Sequence, residues 1–181
     1  MNVFDLWLPI LLSGLATHIL STLNWMVFPH HKTEWRKMAS EDEFQNLVVL
    51  EKVPPGQYVL PFSDSPDEMK SDEFKSKQAK CTGTLILWDK PVNMGTAIAK
   101  TIAFFMVTAF VIGYLASLAL KPGASFTDAS QFVTTAGLLA HCFAKFPHVF
   151  WFKRRIAMEL LDGIVYAAVT GLIFAALWPS A

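Results

Sequence analysis

Four long stretches of this sequence are almost free of charge, and that spacing decides the fold class. From Leu6 to Phe28 the only acidic or basic side chain is the imidazole of His18, Thr101–Leu120 has none, Ala129–Ala144 has only His141, and Gly163–Ala181 has none. A helix rises about 1.5 Å per residue, so roughly 20 mainly apolar residues cross the hydrocarbon of a bilayer. The pattern predicts an all-α integral membrane protein with four transmembrane helices. The first lies within residues 1–29 and the others over about 93–120, 127–146 and 156–178, forming one membrane domain, with a hydrophilic insert at 30–92. The third span is short and needs Phe126, Phe146 and Phe150 at its ends.

The first span is expected to stay as a permanent helix. Its head carries Asp5 and no Lys or Arg, its apolar run is too long for a secretory leader, and "NWMVFPHHK" is no small-residue cleavage site. Cys81 falls in the hydrophilic segment and Cys142 in a span, so no disulfide framework is expected. With 15 basic and 15 acidic residues, nothing points to nucleic acid.

Where the basic residues fall matters more than their sum. Four spans put Lys32, Arg36 and Lys37 on the same side as Lys145, Lys153, Arg154 and Arg155, and leave Lys121 alone on the other. By the positive-inside rule residues 30–92 are cytoplasmic and both termini lie outside, in a multi-pass protein. The run Lys153–Arg155, with Lys32, Arg36 and Lys37, sets topology and meets anionic lipid. Trp7 and Trp178 then mark the outer interface, and Trp25, Trp35 and Trp151 the inner one.

The insert is too long for a plain connection. "SEDEFQNLVVLEK" reads as a short helix, with Ser40 and Glu43 as a capping box and Phe44, Leu47 and Val48 at helical spacing. "GQYVLPF" and "TGTLILW" read as a β-hairpin pair bounded by Gly and Pro. The charged stretch between them is a short helix or a solvated excursion.

Four motifs, "FPHHKTEWRKMASEDEF", "PPGQYVLPF", "NMGTAIAK" and "LDGIVYAAVTGLIFAALWP", resemble in their order a family of small bacterial inner-membrane proteins, uncharacterised in activity. The resemblance covers most of the chain and implies four membrane helices in a bacterial inner (cytoplasmic) membrane. It assigns no activity, so no residue takes a role from it.

Polar residues inside the spans are the candidates for chemistry, because in lipid they must face partners. Gly14, His18, Ser21 or Thr22, and Trp25 share a face of the first span, a stripe suited to close helix approach and hydrogen bonding between helices. His18 and His141 fall at similar depth, which makes them the candidate pair for a haem or pigment; a hydrogen-bonded structural pair is the simpler expectation. Glu159, Asp162, Tyr166 and Thr170 form one stripe on the last span, and His141, Lys145 and His148 another on the third. A tight connection sets these two stripes face to face, with Lys145 neutralising Glu159 or Asp162 in an ion-pair seam. A lipid-headgroup or small-ligand pocket comes second. Third is a metal site, in which His148, Glu159 and Asp162, with His30 or His31, offer mixed N/O ligands for zinc or non-haem iron. No H-E-x-x-H, Glu-x-x-His or repeated histidine box supports it, and Pro147 leaves the direction of His148 open.

With no phosphate loop, nucleophile elbow or CxxC, the expected role is a non-catalytic accessory, assembly or structural subunit of a larger membrane complex. Its partners would be membrane lipids and other membrane-protein subunits or further copies of itself. The alternative is a membrane-bound metal- or haem/pigment-binding protein or enzyme using the inner-interface His/Glu/Asp cluster. The sequence favours no particular cofactor.

Overall fold

The computed structural model describes all residues, Met1–Ala181. Along the chain run helix α1 (Trp7–Thr22), α2 (Glu41–Leu50), strand β1 (Gly56–Leu60), α3 (Asp72–Lys80), β2 (Gly83–Leu87), α4 (Met94–Ala119), α5 (Phe126–His141), α6 (Phe146–Phe152) and α7 (Ala157–Ala176). They divide into two compact units, one of Met1–Arg36 with Asn93–Ala181, the other of Lys37–Val92. Residues 30–36, read from the sequence as part of the insert, therefore group with the long helices.

In the helical unit a 3₁₀ turn (Val3–Leu6), α1 and a π-helical turn (Leu23–Val27) run on as one stretch of 25 residues. That stretch, α4 and α7 are each long and apolar enough to cross a membrane. The π turn ends where Pro29 forces Phe28 into an extended conformation (φ −80°, ψ 138°). Asn93 caps α4 by accepting from the Thr96 N–H at 3.0 Å, and Ser125 caps α5 by accepting from Asp128 N–H at 3.1 Å.

The helix expected over 127–146 is shorter than its apolar run. α5 has 16 residues, about 24 Å at helical rise, and stops at His141. A 3₁₀ turn, Phe143–Lys145, follows before α6 restarts with Pro147 in its first turn. Proline explains the break: within a continuous helix Pro147 would leave the Phe143 carbonyl without its N–H donor and press its ring against it.

α5 and α7 pack antiparallel, and glycine lets them approach. A Cβ at Gly137 would lie 2.9 Å from Ala167 Cα, and one at Gly163 would lie 3.0 Å from the His141 carbonyl oxygen. Leu6, Ile10, Ile112, Val133 and Phe174 fill the core where α1, α4, α5 and α7 meet. Three hydroxyls of the first helix bond within it, whereas Ser21, on the expected stripe, reaches Tyr166 of α7. Ser13 and Thr17 donate to their own helix at Pro9 O (2.7 Å) and Ser13 O (2.8 Å), and Thr22 donates to His18 O (3.0 Å). Gly14 does mark a close approach, to Met106 of α4.

In the second unit β1 and β2 pair antiparallel, with Gly56 opposite Leu87, Tyr58 opposite Leu85 and Leu60 opposite Gly83. The charged stretch between them forms α3, capped by Ser71 on the Phe74 N–H (3.1 Å), and Phe74 is the buried anchor of the unit. α2 starts after Ser40, but the Ser40 hydroxyl makes no cap hydrogen bond, so the expected capping box is not formed. The acidic first turn Glu41–Glu43 favours that helix end instead, lying against the positive end of its dipole.

Candidate functional site

Pro29 turns the chain from the first helix into a 3₁₀ turn, His30–Glu34, which lies against the start of α7. Ile156, at the N-cap of α7, has no side-chain oxygen to offer the orphan N–H groups there. Glu34 supplies one from far along the chain: its Oε1 accepts from the Met158 N–H at 3.2 Å. Arg155 adds a second tie, donating from Nη1 to the Thr33 carbonyl at 3.0 Å.

One turn into α7, the buried carboxylate of Asp162 receives both histidines of this turn. His30 Nε2 is 3.1 Å from Asp162 Oδ1, and His31 Nε2 is 2.9 Å from Asp162 Oδ2. His31 Nδ1 lies 2.9 Å from Glu34 Oε2. Trp25, carried by the π turn, stacks on the His31 ring with centroids 3.8 Å apart and planes 8° from parallel. The same turn points Asn24 inward, where its amide donates to Tyr166 Oη at 3.5 Å, and Tyr166 in turn donates to Asp162 at 3.4 Å. These last two contacts are long and weak.

His31 thus has a carboxylate at each ring nitrogen. Ionised carboxylates only accept, so with both contacts made the ring donates from both nitrogens, as imidazolium. Burial acts to lower its pKa, but the hydrogen bonds and charges of Glu34 and Asp162 outweigh burial and raise it above the ordinary value.

The three groups His30, His31 and Asp162 also suit a metal ion. Their ligand atoms lie within 4.8 Å of one another. The two imidazoles approach different oxygens of Asp162, so a zinc ion with bonds of roughly 2.0–2.1 Å would be held by both Nε2 atoms and one or both carboxylate oxygens, after displacing the two hydrogen bonds. Behind the cluster, Glu34 on His31 Nδ1 is the carboxylate that orients a metal-bound imidazole and fixes its tautomer.

Other residues singled out in the sequence lie elsewhere. Glu159 does not join the cluster: Lys145 Nζ is 3.2 Å from its Oε2, and Arg154 Nη2 is 3.1 Å from its Oε1. The expected seam therefore pairs Lys145, in the 3₁₀ turn after α5, with Glu159 of α7, while Asp162 turns to the histidines. His148, on the separate α6, packs its ring on Phe152 (4.4 Å), because the break before Pro147 rotates it out of the α5 stripe. His18 and His141 do not face each other across an open slot. Phe105 packs against both rings, at 6.4 and 6.0 Å, and is itself buried, so a porphyrin between them would have to displace it. Lys32, Arg36, Lys37 and Lys153 are exposed, as is Arg155 where it ties the turn.

Glu34 is the functional residue that the sequence pattern does not single out. Its signal was present in "HHKTE", where it follows His31 by three residues, the spacing of one turn. Beside the cluster, a cavity of about 340 Å³ reaches Asp162, Glu159, Lys145, Arg154 and Tyr166.

No family model, no curated protein and no solved structure matches this chain.

Proposed function

We propose that this chain is a multi-pass membrane protein that binds a divalent transition metal, zinc or non-haem iron, at the aqueous rim of its helices. The observation that carries the reading is the convergence of His30, His31 and Asp162, with Glu34 behind His31. Two imidazoles and one carboxylate leave coordination positions open, and mixed N/O ligands match these metals. What the chain's own residues do is hold the ion, orient His31 through Glu34, and keep Asp162 buried beside the cavity.

Three apolar helices support the membrane reading. The finer topology has α5 as a fourth, short span, the basic residues of the His30–Arg36 and Lys145–Arg155 segments in the cytoplasm, and both termini outside, in a bacterial inner membrane. Metal analysis of protein purified without added metal tests the site. About one zinc or iron per chain is expected, lost in Asp162→Asn; a metal-free preparation that also fails to take up either ion sinks the reading.

A second reading, an accessory subunit of a larger membrane complex, has its own support. The Lys37–Val92 unit exposes Val49, Leu50, Ile86 and Trp88 broadly, a surface suited to another subunit. Purification in mild detergent tests it: a chain that always runs alone argues against it.

A further inference from the structure

We propose that the cavity beside Asp162 binds the phosphodiester of a membrane phospholipid, with Lys145 and Arg154 as its anion-binding groups. The inference rests on the membrane reading above and is independent of the metal.

The charged side chains of the cavity have hydrogen-bond donors to spare. Glu159 is held by both Lys145 (3.2 Å) and Arg154 (3.1 Å), so these three side chains sum to one positive charge. Both oxygens of Asp162 are directed to His30 and His31. The acceptors in this lining are engaged, whereas the donors are not exhausted. Arg154 has five N–H groups and spends one on Glu159; Lys145 has three and spends its contacts on the Glu159 carboxylate and the Glu159 carbonyl (3.3 Å). Asp162 lines the same cavity, so Lys145, Arg154, Glu159 and Asp162 balance in charge, and what the lining has to spare is N–H donors. Their complement is a group with several acceptor oxygens; a phosphodiester offers these, and the planar guanidinium suits it in particular.

The apolar residues that line the same cavity point to the source of the anion. They are Phe104, Phe105, Trp25 and Ala140, and Phe104 and Trp25 are half exposed. A free phosphate has no use for such a lining. A phospholipid does, because its glycerol and upper acyl chains follow directly from the phosphodiester. Arg154 at the exposed rim and Phe104 on the apolar side reproduce the polarity step between headgroup and hydrocarbon.

The test uses the full chain, delipidated in detergent and titrated with phosphatidylglycerol, diacylglycerol or inorganic phosphate. Binding is read by native mass spectrometry and by tryptophan fluorescence. One phosphatidylglycerol per chain is expected, bound at least tenfold more tightly than either diacylglycerol or phosphate. Arg154→Gln should weaken it about tenfold, as should Lys145→Gln, while Lys145→Arg should retain it. Arg154 is exposed and outside any helix, so its replacement leaves the fold standing even where Lys145→Gln does not. Equal binding of diacylglycerol would reduce the site to an apolar groove, and equal binding of phosphate would make it a free-anion site; either overturns the proposal, as does unchanged affinity in Arg154→Gln. Repeating the titration after chelation separates it from the metal reading, since lipid affinity should not change.

Discussion

Replacing Asp162 by Asn keeps the size of the side chain and removes its charge, which makes it the sharpest single probe of the cluster. The carboxylate accepts from two histidines at 2.9 and 3.1 Å and is nearly inaccessible to solvent. A hydrogen bond to a charged group contributes about 1.5–3 kcal/mol, so loss of both bounds the cost at about 3–6 kcal/mol. The amide oxygen can keep one of them while its NH₂ opposes the other ring, which places the expected loss near 3 kcal/mol, the lower end for breaking a buried ion pair. Metal adds a second and separable readout. A ligand at 100 times its dissociation constant stabilises the native state by about 2.7 kcal/mol, so zinc should raise the melting temperature of the wild-type chain in detergent. It should not raise that of Asp162→Asn, and His148→Ala should behave as wild type in both respects. An Asp162→Asn protein stabilised by zinc as much as the wild type would refute the metal site. One that melts unchanged without zinc would refute the buried network itself.

Four further outcomes follow from the same geometry. Glu34→Gln keeps an oxygen for the Met158 N–H but turns an NH₂ toward His31 Nδ1, shifting the ring proton to Nε2; zinc affinity should drop about 10–100-fold with little change in melting. Because His31 holds its proton to a higher pH than a free imidazole, zinc must displace it. Affinity measured by titration should therefore climb as pH rises through the raised value and level off above it. Gly137→Leu places side-chain atoms where Ala167 backbone lies 2.9 Å from the new Cβ, so α5 and α7 must part, at a cost of about 1–3 kcal/mol in detergent melting; an unchanged transition would deny the close approach. The exposed Cys81 should react with a membrane-impermeant thiol reagent only after the cytoplasmic face is opened, while the buried Cys142 stays protected; labelling of Cys81 in intact cells would invert the topology.

Much of the architecture was legible because it depends on properties that a sequence carries locally. Runs without charge mark α1, α4 and α7, and short runs of β-branched and aromatic residues bounded by Gly and Pro mark β1 and β2. The break after His141 was half legible. Pro147 was visible and the expected helix closed before it, at Phe146, but α5 already stops at His141, since hydropathy does not register that the missing N–H reaches back to the carbonyl four residues earlier. The seam was legible as a choice between two carboxylates and not as its outcome. Glu159 and Asp162 both follow from helical spacing, yet which of them meets Lys145 depends on where the His30–Glu34 turn lands, and that is set by contacts from outside the stripe. Glu34 shows the limit most clearly. Its role comes from filling an uncapped helix start more than a hundred residues away, at Met158, with one carboxylate oxygen and orienting His31 with the other. Because one side chain does both, the turn cannot be docked on α7 without also fixing the orientation of the His31 ring. The site is in this sense a by-product of how the helix is capped, and any change that frees the turn from α7 must dismantle the cluster with it.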